Sequence, residues 1–79
     1  MKTPGELQTE LLDLPGVVFA SVKASQRVGA MAVYIGTSIE EEDAAGLIRE
    51  LLGQYPNHDF GVQIVRGETS LRFNRGLVN

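Results

Sequence analysis

Apolar positions recur with a helical period at two places along the chain and with a strand period at three. Leu7, Leu11 and Leu14 fall at i, i+4 and i+7 with Leu12 beside them, while Glu6, Glu10 and Asp13 take the other side. Thr3, Pro4 and Glu6 open this stretch as a capping box, in which a hydroxyl and a carboxylate three residues on can satisfy each other's backbone amides. A helix is expected over residues 4–13, stopped by Pro15 and Gly16. Over residues 17–25 the period drops to two. Val18, Ala20, Val22 and Ala24 alternate with Phe19, Ser21, Lys23 and Ser25, which predicts a half-buried strand with the first set facing inward. Residues 26–29 read as a hairpin connection into residues 30–35, which are apolar on both faces and so expected to have a neighbour on each side.

A second helix start is marked by Ser38 with Glu41 or Thr37 with Glu40, and the acidic run 40–43 suits the positive end of a helix dipole. Ala44, Leu47, Ile48, Leu51, Leu52 and Tyr55 follow at helical spacing until Pro56 and Asn57. Gly46 lies inside this helix, where glycine is unfavourable by about 1 kcal/mol, so close packing of backbone against a strand is expected there. Phe60, Val62 and Ile64 alternate with Gly61, Gln63 and Val65 in a third strand that stops near Gly67. Residues 68–70 read as a turn and residues 71–73 as a short fourth strand, with fraying from Asn74 onward and over 76–79.

The fold expected is α+β: a two-layer sandwich in the order α-β-β-α-β with a short C-terminal strand, both helices on one face of a three-stranded mixed sheet. Strands one and two pair antiparallel, and the second helix carries the chain over to a parallel third strand. A length of 79 residues suits one domain spanning 1–79. The face away from the helices then presents Phe19, Ala32 and Tyr34 as an interaction surface. The plainer reading is a modest exposed patch softened by Ser21, Lys23 and Gln63.

Leu14, Pro15, Gly16 and Val17 between a leucine-striped helix and a first strand, followed by a hairpin, a helix with an acidic start and a third strand, resemble an αββαβ ring-building module. Secretion-ring proteins and the cytoplasmic C-terminal domains of cation-efflux transporters contain such modules, and phage baseplate modules have a comparable layout. The resemblance covers roughly residues 5–66 and implies a protein that packs against copies of itself or a partner. The transporter domains' metal ligands do not carry over, because residues 17–23 contain neither histidine nor acid.

Composition removes several chemistries. There is no cysteine and one histidine, so neither disulfides nor a thiolate nucleophile contribute, and His58 with Asp59 reads as an exposed loop pair rather than a metal site. The serines lack a neighbouring histidine, the glycines form no phosphate-cradling loop, and the acidic run is explained by the helix dipole without a cation. The net charge of −3 is unevenly spread: residues 60–79 carry three arginines and one acid. Arg66, Arg72 and Arg75 with Phe73 are therefore candidates for binding a partner, either an acidic protein or, less favoured, a nucleic acid. Charges on an edge strand also discourage aggregation with no partner at all.

These readings converge on a non-enzymatic protein interaction module in a small soluble chain, expected to self-associate, with a dimer favoured, or to bind another protein. The alternative is a nucleic-acid- or ligand-binding regulatory domain using the basic C-terminal segment. No catalytic residue, metal or cofactor is expected. Neither a membrane segment nor a leader is read, and the cytoplasm is the expected compartment.

Overall fold

A computed structural model describes residues 3–27 and 29–75, the side chain of Arg75 excepted. The fraying expected at 76–79 lies outside the described residues. The elements are α1 (Pro4–Leu12), β1 (Val17–Ala24), β2 (Ala30–Thr37), α2 (Glu41–Leu52), β3 (Asp59–Arg66) and β4 (Thr69–Arg75). The strands form one mixed sheet in the order β1-β2-β3-β4, antiparallel at both outer pairings and parallel between β2 and β3.

The sheet has four strands where three were expected. Gly67 adopts φ +61°, a conformation glycine enters without strain, and the Thr69 hydroxyl donates to the Arg66 carbonyl at 2.9 Å. The chain reverses within two residues, so Thr69 and Ser70 already belong to β4 and pair with Arg66 and Val65. Asn74 and Arg75, expected to fray, continue β4 and pair with Gly61 and Phe60.

Leu7 and Leu11 of α1 and Ala44, Ala45, Ile48 and Leu52 of α2 join a single buried cluster with Val22, Met31, Val33, Ile35, Phe60, Val62 and Ile64 from the strands. Both helices thus cover one face of the sheet, as their leucine stripes imply. The Tyr55 hydroxyl donates to the Glu10 carboxylate, at 2.8 and 2.7 Å from its oxygens, and ties the end of α2 to α1. Burying six large, fully enclosed side chains (Leu7, Leu11, Ile35, Ile48, Leu52 and Ile64) supplies the main driving force, at about 1.5–3 kcal/mol each relative to exposure.

The first capping box forms as read: Glu6 N–H donates to Thr3 Oγ1 at 3.2 Å, and Thr3 N–H donates to Glu6 Oε1 at 3.1 Å. The second does not. Helix α2 opens behind Glu40 with no side-chain cap, because Thr37 and Ser38 are engaged elsewhere. Their hydroxyls donate to the Gly16 carbonyl at 2.9 and 3.4 Å, joined by the Ser38 N–H at 2.8 Å, which fastens the start of β1 to the end of β2. Gly46 is another correction: it lies on the exposed side of α2, and a Cβ added there would meet nothing within 4 Å.

Strand β1 departs from simple alternation at its start. Val17 pairs with Thr37 and Phe19 with Gly36, which leaves Val18 bulged between them. Val18, expected to face inward, is 63% exposed, and Val17 packs on the core instead.

Candidate interaction face

The ladder registers set which side chains meet on the side of the sheet away from the helices. Ser21, Tyr34, Gln63 and Arg72 form one row across the four strands, and Lys23, Ala32, Gly61 and Asn74 form the next. Large residues stand at Tyr34 and at the Lys23 and Arg72 ends, with almost nothing at Ala32 and Gly61. The result is an open trough of about 630 Å³ floored by Ala32 and Gly61. Among the described residues the side chains of Lys23 and Arg72 make no ion pair. Asp59, the acid whose register position lies on this face, pairs with Arg27 of the β1-β2 hairpin.

Two glycines on this face differ in kind. A Cβ on Gly36 would come within 2.1 Å of the Phe19 ring, so this glycine is required by a contact inside the chain. Phe19 lies across it and leans on Tyr34, with ring centroids 5.4 Å apart and planes inclined at 46°. A Cβ on Gly61 would meet only Asn74 Oδ1 at 3.6 Å, an ordinary contact. A glycine inside a strand weakens it, and among the described residues no contact requires one at this position.

No family model, curated protein or solved structure matches this chain. What can be said of the face therefore comes from its own geometry. Of the residues singled out in the sequence, Phe19, Ala32 and Tyr34 do come together on it, with Phe19 and Tyr34 41% and 42% exposed. The C-terminal basic set does not assemble. Arg72 faces the trough, whereas Arg66 and Phe73 belong to the helix side of the sheet. The side chain of Arg75 lies outside the described residues.

Arg66 is engaged by the start of α2: its Nε donates to Glu41 Oε1 at 3.0 Å, and a terminal nitrogen lies 3.4 Å from Glu40 Oε1. Glu41 also accepts from the Thr69 hydroxyl. That hydroxyl bond, then the Glu41 backbone N–H and Arg66, hold the Glu41 carboxyl below its ordinary value, while the hydrogen bond to Glu41 and then the Glu40 and Glu41 charges raise the Arg66 guanidinium above its own. Phe73 is covered by Arg49 of α2, whose guanidinium carbon sits 4.3 Å from the ring centroid. A nucleobase would have to displace Arg49 to stack there.

His58 also departs from expectation. It is buried rather than exposed, stacked on Phe60 with centroids 6.0 Å apart and edge-on to Tyr55 at 6.5 Å. Among the described residues no cluster of histidine and acids could hold a metal, and no helix is long and apolar enough to cross a membrane.

Gly61 and Asn74 are trough residues that sequence reading did not place on this face, whereas Ser21, Lys23 and Gln63 were placed there only as polar residues that soften it. A glycine at the middle of an apolar alternation was the available signal.

Proposed function

We propose that this chain is a non-enzymatic interaction module that docks another protein chain on the open face of its sheet. The observation that carries the reading is Gly61. It floors a trough between an exposed tyrosine and two cations, and among the described residues those cations make no ion pair and no neighbour requires Gly61 to lack a side chain. Gln63 and Asn74 beside it offer amide donors and acceptors suited to a main chain lying across the strands.

The test is to pan random peptides against the wild-type chain, with counter-selection on Gly61→Trp. The glycine site has room for a side chain, so the variant should fill the trough and keep its circular dichroism. Enriched peptides should shift the amide resonances of Ala32, Gly61 and Gln63 and lose binding to the variant. Peptides that bind both proteins equally, or no enrichment at all, would sink the reading.

A second copy of the chain is a second reading, favoured by the unequal edges of the sheet. The outer edge of β1 is partly covered, with the Val22 N–H donating to Gln8 Oε1 of α1 at 3.2 Å. Among the described residues no such bond covers β4. Sedimentation over a wide concentration range decides it, and a constant monomer mass removes self-association.

A further inference from the structure

We infer that the segment received by the trough is an extended acidic one, carrying two carboxylates four residues apart with a small or apolar stretch between them. This rests on the open face being a docking surface for a protein chain.

The spacing follows from the sheet. Lys23 stands on β1 and Arg72 on β4, the two outer strands, and the side chains of both line the trough. Three inter-strand steps of about 4.8 Å, with the two residues one row apart along the strands, separate their backbones by about 16 Å, a span that about four residues of extended chain, about 14 Å, match once the two long side chains lean inward. A segment crossing the strands can therefore bring one carboxylate to each cation while its centre lies over Ala32 and Gly61. Those two residues leave room for the main chain, and the Tyr34 ring flanks it with an apolar surface.

Charge complementarity selects this partner over the alternatives. Among the described residues that line the trough there is no acid. A second copy laid face to face would set Lys23 and Arg72 against the same cations, which is unfavourable. A nucleic acid presents a phosphate at every nucleotide, yet the face supplies two cations on a chain of net charge −3.

The experiment reads the composition of selected peptides and then inverts it. Dodecapeptides enriched on the wild-type chain should carry Asp or Glu at i and i+4 well above the unselected library. Replacing both acids by amides should weaken binding about tenfold or more, the scale of losing charge-assisted contacts. Panning the Lys23→Glu, Arg72→Glu double variant should instead enrich Lys or Arg at the same spacing, a result that mere misfolding cannot produce. Enriched peptides that bind in the trough without acids overturn this inference and leave the docking face standing. The absence of any enriched peptide overturns both. Oligothymidylate binding more tightly than the best acidic peptide at physiological salt overturns it in favour of a nucleic acid.

Discussion

On β2, Met31, Val33 and Ile35 point toward the helices and are at most 7% exposed, while Ala32 and Tyr34, alternating with them, point to the open side and are exposed. The inward residues are held by shape, each enclosed by side chains of the same chain. The outward ones are only partly accounted for in that way. Phe19 and Gly36 fit each other, but among the described residues Lys23 and Arg72 make no ion pair and no close contact requires a glycine at Gly61. One face is therefore explained by packing, and the other is the face on which the docking proposal rests.

The contrast is open to direct attack, and the largest effect belongs to the inner face. Ile35→Ala should destabilise the fold by about 2–5 kcal/mol in urea denaturation, whereas Tyr34→Ala on the next residue should cost about 1 kcal/mol or less. Similar losses at both positions would erase the distinction.

A smaller effect separates the two outward glycines. Gly36→Ala drives a methyl into the Phe19 ring and should cost about 1–3 kcal/mol. Adding Phe19→Ala should return part of that loss, a coupling readable in a double-mutant cycle. Gly61→Ala, placed in ordinary space, should be neutral or stabilising by up to about 1 kcal/mol. Equal losses at the two glycines would show that Gly61 is held by the fold after all. Gly46→Ala serves as a reference away from both faces and should stabilise by about 1 kcal/mol.

The smallest effect is one of pH. The folded chain holds the Glu41 carboxyl below its ordinary value near 4.5, so in that window the unfolded chain binds more protons than the folded one. The contribution of Glu41 is therefore present above about pH 4.5 and is lost as the pH falls through the lower folded value. Glu41→Gln should flatten the acid limb of the stability profile relative to wild type. An unchanged limb would mean that Arg66 and Thr69 do not hold this carboxylate in solution.

Much of the fold was legible because its signals are local. The leucine stripe and Thr3-Glu6 box of α1, the acidic start and apolar stripe of α2, and the alternation in three strands each act within a few residues. The errors occurred where a distant group outcompeted a local one. Thr37 and Ser38 had a capping role within reach, yet the Gly16 carbonyl took their hydroxyls, and Arg66 with Thr69 took Glu41. His58 follows a proline-asparagine turn that reads as solvent, but Tyr55 and Phe60 close around it.

The candidate site shows the same division. Phe19, Ala32 and Tyr34 could be placed together from alternation and one hairpin, because two adjacent strands fix them. Arg66, Arg72 and Phe73 could not. Arg66 and Arg72 are an even number of residues apart, so alternation counted straight through would put them on one face. The two-residue turn pairs Arg66 with Thr69, which reverses the parity and sends Arg66 to the helices and Arg72 to the open side. Sequence by itself determined the helices, the cap of α1, the first three strands with their neighbours and, beyond the Val18 bulge, which residues of each strand share a side, since those depend mostly on contacts between near neighbours. Only the tertiary structure decided how far β4 runs along β3, the register set by its two-residue turn and the bulge at Val18, and so which charges meet an opposite charge within the chain.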